Sequence, residues 1–174
     1  MESRDLARFE ALMLPHLSAA YTLARFWTRN AHDAEDIMQD AYLRALRYFD
    51  GYRGDGEASA RAWLLAIVRN TANTWRQRGR VDALTTEFDE TEHGHEVDDR
   101  PDRALEQGAA KETLDRALAR LAPEFREVII LRELQGLSYK EISDVAGVPV
   151  GTVMSRLSRA RTRLQEALRE EEGS

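Results

Sequence analysis

The sequence predicts an all-α protein: two small helical domains joined by a flexible acidic linker, the C-terminal domain containing a helix-turn-helix. Three observations carry this. Apolar residues recur at spacings of three and four in both halves of the chain, the period of an amphipathic helix. Charged residues make up 32% of the 174, beside few aromatics and four prolines, a mix that favours helix over sheet. Between the halves runs EFDETEHGHEVDDRPD, with almost no apolar side chain to bury. The length suits two small domains, here placed at 1–80 and 109–174 with the linker at 81–108.

In the first domain, Leu6, Phe9, Met13, Leu17, Tyr21, Leu23, Phe26 and Trp27 follow the helical spacing. A second helix begins near His32 and Asp33, with acids in its first turn, and carries Ile37, Ala41, Leu43, Ala45, Leu46 and Phe49. GYRGDG, residues 51–56, interrupts it, because three glycines in six residues remove helix propensity. A third helix runs over 58–78 with Trp63, Leu64, Ile67, Val68, Ala72 and Trp75. In the second domain Leu114, Leu118 and Leu121 share a face. Pro123 then opens a helix with Phe125, Val128, Ile129, Leu131 and Leu134, which Gly136 ends.

The most informative segment is SYKEISDVAGVPVGTVMSRLSRARTRL, residues 138–164. Ser138 followed by Glu141 is a capping box, a helix start. Ile142, Val145 and Ala146 form that helix's apolar face, and Gly147 suits the left-handed position after its last turn. Beyond Pro149, a second helix aligns Val153, Leu157, Ala160 and Leu164 on one side. Two helices meeting at a short glycine turn make a helix-turn-helix. The second helix's other side offers Thr152, Ser155, Arg156, Arg159 and Arg163, hydroxyls and guanidiniums suited to phosphates and base edges in a major groove. An ordinary helical hairpin with a solvated arginine face is the plainer alternative, but it requires no such agreement of caps, spacing and surface.

Charge is segregated. The chain carries −6 in total, unusual for a nucleic-acid binder. Residues 82–108 alone carry −8, leaving +2 for the rest, and residues 60–81 hold five arginines and no acid. Within that run Arg69, Asn73 and Arg76 share a helical face that can hold phosphates, with Trp75 near enough to stack on an unpaired base. Trp63 and Trp75 equally suit core packing. Asp33, Glu35, Asp36 and Asp40 either complement a helix dipole or form a protein-docking surface. The linker reads as a solvated tether or as an acidic arm that shields a basic DNA-binding face.

The absence of cysteine excludes a disulfide, a thiolate metal site and a cysteine nucleophile. His93 and His95 lie among acids, yet two histidines in a flexible loop lack the fixed geometry of a metal site. His16 and His32 are isolated and read as surface or cap residues. No nucleophile–base–acid arrangement stands out, so no catalysis, metal, cofactor or small-molecule substrate is expected. The charged N-terminus has no signal core, and no apolar run approaches the ~18 residues of a membrane span. A cytoplasmic chain without membrane insertion is therefore expected.

Three ordered strings resemble the bacterial RNA polymerase sigma factors of the extracytoplasmic-function group. DAEDIMQDAYLRALRYFDGYRG is similar to that family's core-binding helix, AWLLAIVRNTANTWRQR to its −10 reading helix, and LAPEFREVIILRELQGLSYKEISDVAGVPVGTVMSRLSRARTRL to its −35 region. The resemblance spans most of residues 10–168. It implies core RNA polymerase, promoter DNA and an anti-sigma factor as partners, and melting of promoter DNA without ATP. By position it implies that Asp36, Gln39, Asp40, Leu43 and Arg44 dock on the polymerase. Arg69, Asn70, Asn73, Thr74 and Arg76, with Arg53 and Arg61 in the base-capturing loop at 51–62, would meet −10 DNA. Thr152, Met154, Ser155, Arg156, Arg159 and Arg163 would meet −35 DNA. The rival reading, a helix-turn-helix regulator acting without docking on core polymerase, accounts for residues 138–168 but leaves the first domain unexplained.

Overall fold

The computed structural model describes residues 2–28, 30–79 and 101–173, with backbone alone for 101–107. Among them every regular element is helical: α1 (Ser3–Met13), α2 (Leu17–Trp27), α3 (Ala31–Tyr48), α4 (Gly56–Arg78), α5 (Pro101–Ala119), α6 (Pro123–Ile129), α7 (Tyr139–Ala146) and α8 (Val150–Glu172). The expected all-α architecture is what forms. The acidic stretch at 81–100, with His93 and His95, lies outside the described residues, as does its expected tethering role.

The first helical stretch is not continuous. Pro15 lacks the N–H that a helix interior needs, and residues Leu14–His16 tighten into a 3-10 turn between α1 and α2. That turn resets the register. Phe9, Met13 and Leu23 enter the core as expected, whereas Leu6, Leu17 and Tyr21 end up exposed. His16, expected at the surface, is buried in the same turn, and burial foremost holds its pKa below the usual imidazole range. α3 begins at Ala31 with Asp33 in its first turn, as expected, because the Asn30 side chain accepts from the Asp33 N–H at 2.7 Å and caps it.

α2, α3 and α4 pack on one another through Leu23, Ile37, Ala41, Leu64, Leu65 and Val68, all fully buried. Phe9, Phe49, Tyr52 and Trp63 close one end as an aromatic cluster, Phe49 stacked on Tyr52 with ring centres 5.9 Å apart. Trp63 and Trp75 are partly buried against this core, the packing alternative for both. The loop expected at 51–62 is shorter than that, since α4 starts at Gly56, whose φ of +80° suits glycine, and Arg61 lies within the helix. A side chain on Gly54 would run into the Tyr52 phenol and the Ser59 hydroxyl.

Tyr42 ties α3 to α1 by donating to the Met13 carbonyl at 3.0 Å, and burial pushes its phenol up to about 12. The unfolded chain releases that proton near pH 10, the folded chain only near 12. Stability should therefore fall as pH rises between those values, and Tyr42→Phe should flatten the fall in thermal melts. An unchanged alkaline slope would assign the loss to other groups.

In the second half, α5, α6, α7 and α8 surround Leu118, Val128, Leu131, Leu137, Ile142, Val153 and Leu157. α6 does not stop at Ile129 but continues into one π-helical turn, Ile130–Leu134, whose end brings the Gln135 N–H back to the Ile130 carbonyl at 3.0 Å. Gly136 leaves that turn at φ +67°. The two halves touch: α4 packs against α7, and α2 against α6.

Candidate nucleic-acid interface

The helix-turn-helix forms as its local signals require. The Ser138 hydroxyl accepts from the Glu141 N–H at 3.1 Å, and the Glu141 carboxylate accepts from the Ser138 N–H at 2.9 Å. Burial raises the Glu141 pKa, but the Ser138 bonds and the neighbouring Arg61 guanidinium outweigh it and hold the carboxyl below its usual range. Gly147 takes φ 69° and ψ 33° and ends α7. The Ser143 hydroxyl donates to the Val148 carbonyl at 2.5 Å, bracing the turn from inside.

This turn aims α8. Val153, Leu157 and Ala160 are buried, which turns Met154, Ser155, Arg159 and Arg163 to the exterior. Met154 is 54% exposed, a large apolar side chain among hydroxyls and guanidiniums. Thr152 and Arg156 are half-buried at the edge of that surface. The six expected −35 residues thus cover one side of the helix, four of them open.

The expected −10 residues divide differently. Arg53, Asn70 and Arg76 are exposed, and Asn73 and Thr74 are half-buried beside them. Arg76 lies over the Trp27 ring, 5.3 Å from its centre. Arg61 and Arg69 turn instead toward the second half of the chain. Arg61 donates to the Gln135 carbonyl at 3.1 Å and pairs with Glu141 at 3.5 Å. The Arg69 guanidinium pairs with Glu127, which is 2% exposed, while also lying over Trp27. Burial pushes the Glu127 carboxyl up, with Arg69 opposing.

On α3, Asp36, Gln39, Asp40, Leu43 and Arg44 line one face. Asp40 pairs with Arg44 at 3.5 Å and Asp36 with His32 at 3.5 Å. Leu43 is 67% exposed among them. Beside this face runs an open groove lined by Leu17, Tyr21, Glu35, Met38 and Gln39. Leu17 and Tyr21 escaped sequence reasoning as surface residues because an unbroken α1 would have buried them. Glu127, Arg126 and Gln135 escaped it too: no basic residue lies three or four positions from Glu127, so nothing local points to its partner 58 residues away.

Comparison with known proteins places this arrangement. Residues 12–81 match the Sigma-70 region 2 family and residues 111–164 match Sigma-70, region 4. The chain is 34% identical to the RNA polymerase sigma-H factor of Pseudomonas aeruginosa over 171 residues, 94% of this chain and 88% of that one. It is 35% identical to the ECF RNA polymerase sigma-E factor of Escherichia coli K12, over 74% of this chain and 70% of that one. Among solved structures, the sigma factor RpoE of Bartonella quintana, in complex with the anti-sigma factor NepR, matches with a TM-score of 0.72 and 30% identity, over 93% of this chain and 97% of that one. The chain belongs to the sigma-70 family of RNA polymerase sigma factors. Its relatives include proteins named as ECF RNA polymerase sigma factors, as the sequence motifs implied.

Proposed function

We propose that this chain is a non-catalytic initiation factor of the cytoplasm that brings core RNA polymerase to promoters. The observation that carries this is the coexistence, in one chain, of an open arginine–hydroxyl face on a capped helix-turn-helix and an acidic, leucine-centred face on α3. The first reads duplex DNA and the second docks a protein. Domain 1–80 binds the polymerase through Asp36, Gln39, Asp40, Leu43 and Arg44. It meets the unwound −10 strand through Arg53, Arg61, Arg69, Asn70, Asn73, Thr74 and Arg76. Domain 109–174 sets Thr152, Met154, Ser155, Arg156, Arg159 and Arg163 against the −35 duplex, with residues 81–108, the last eight of which belong to α5, spacing the two. Strand separation follows from trapping unstacked bases and needs no ATP. An anti-sigma protein that covers these faces would set its availability, as the complex of RpoE with NepR suggests by analogy.

Run-off transcription with core polymerase on a genomic promoter library tests this. Some promoters should fire only when the chain is added; none doing so would end the proposal. Arg159→Ala should then weaken promoter binding by about tenfold to a hundredfold, the range of a lost guanidinium contact of 1–3 kcal/mol, with the loss concentrated at −35 positions.

A further inference from the structure

α8 enters the candidate major-groove surface without charge. Its first six residues, VGTVMS, hold no charged side chain, and the guanidiniums begin only at Arg156. Two of the six are large apolar side chains left at the surface: Val150 is 40% exposed and Met154 is 54% exposed. Four residues apart, they stand about 40° from each other around the helix and about one turn apart along it, so they form one apolar row. The next long side chain on that flank is Arg161, about 20° from Val150 around the helix. It is tied down, because its guanidinium donates to Glu133 at 2.9 and 3.3 Å. Arg159 and Arg163 stand on the opposite flank of the open face, with Ser155 between the two flanks. The surface is therefore two-sided, cationic along one edge and apolar along the other.

A lone exposed apolar residue needs no explanation. This pair, however, falls at the N-terminal end of the second helix of a helix-turn-helix, the part that meets base edges. Of the groups that unmodified base pairs present in the major groove, all are hydrogen-bond donors or acceptors except one, the 5-methyl of thymine. A thioether donates nothing and accepts only weakly, so it has little to offer the polar groups.

We propose that Met154, backed by Val150, is a specificity-determining residue that reads a thymine of the −35 duplex through its 5-methyl group. The inference rests on reading α8 as the −35 helix. Successive base pairs are about 3.4 Å apart and the two side chains about 5–6 Å apart, so with Met154 over one methyl Val150 reaches the adjoining pair. Arg159 and Arg163 supply attraction to the duplex, which salt screens. The apolar row supplies selection by contact, which salt does not screen. An arginine at 154 would choose differently, since a guanidinium there pairs with the O6 and N7 of guanine.

The test uses holoenzyme, the full chain assembled on core polymerase. Promoter duplexes randomised across the −35 element are selected by binding. Each thymine of the selected element is then replaced singly by deoxyuridine, which removes the methyl group and keeps the hydrogen-bonding edge. Competition binding is measured for the parent, Met154→Ala, Met154→Arg and Arg159→Ala. Positions 154 and 159 are both exposed, so these variants keep the fold.

At one −35 position deoxyuridine should weaken the parent about threefold to fivefold, the worth of one buried methyl group. Met154→Ala should bind the thymine duplex more weakly by about the same factor, and should no longer distinguish thymine from deoxyuridine there. Met154→Arg, carried through the same selection, should exchange thymine for guanine at that position. Three results overturn the proposal: no position of the parent's element responds to deoxyuridine, the response persists undiminished in Met154→Ala, or Met154→Arg selects the parental sequence. Arg159→Ala separates the underlying reading. If it neither weakens binding nor alters the selected element, α8 is not the −35 helix and the methyl contact falls with it. If Arg159→Ala acts and Met154→Ala does not, α8 reads the duplex and Met154 takes no part.

Discussion

Leu157→Ala is expected to unfold most of the C-terminal domain while leaving the N-terminal one folded. Leu157 is 1% exposed on α8, which packs against both α6 and α7. Removing a fully buried leucine side chain costs about 2–5 kcal/mol, made up of lost transfer energy and the cavity left behind. A domain of this size holds roughly 3–10 kcal/mol in all, so the substitution removes a large share or the whole. Two-domain melting by circular dichroism should show one transition lost or lowered well below the other. Duplex DNA binding should disappear with it, and polymerase binding through α3 should survive. A melt that moves no more than that of Ser158→Ala, at an exposed position on the same helix, would contradict the packing described for Leu157.

The second large effect belongs to the surface. Leu43→Asp should leave the melting temperature almost unchanged, because the side chain is 67% exposed, yet weaken association with core polymerase by about thirtyfold or more. The reasoning is that of an interface anchor. A large apolar side chain ringed by Asp36, Gln39, Asp40 and Arg44 gains little in the free protein and loses all its water when a partner covers it. Charge placed there must be desolvated without a matched partner. Titration of labelled core polymerase with the variant measures this directly. Equal affinities for variant and parent would move the docking face elsewhere, with the apolar groove of Leu17 and Tyr21 as the next surface to probe.

What could be read from the sequence was what depends on neighbours in the chain. The capping box of Ser138 and Glu141, the left-handed Gly147 and the Val153–Leu157–Ala160 stripe all involve residues within a few positions of one another, and each forms as expected. The open faces of α3 and α8 follow from the same periodicity once the buried stripe is known. Two kinds of feature were hidden. One is register across an interruption: the Pro15 turn rotates α2 relative to α1, so Leu17, Tyr21 and His16 exchanged the environments that a continuous helix would give them. The other is contact at a distance. Arg69 with Glu127, Arg61 with Gln135, Arg126 with Phe26 and Gln135 with Ala19 join residues 58, 74, 100 and 116 positions apart. No periodicity encodes such pairs, and the arginines of α4 looked equally ready for DNA until their partners were seen.

The π-helical turn at Ile130–Leu134 has a bearing on how such a protein can change over time. Each residue of an α-helix advances the azimuth by about 100°, so adding or removing one in this turn rotates everything after it by that angle. Gln135, which touches region 2 through both its carbonyl and its amide, is the first residue beyond it. The α7–α8 pair carries its own caps and would keep its shape. A single-residue insertion or deletion here therefore acts as a phase shift between two intact modules. It would alter how firmly the halves hold each other without altering the exposed face of α8, so restraint and surface chemistry can drift independently in one short chain.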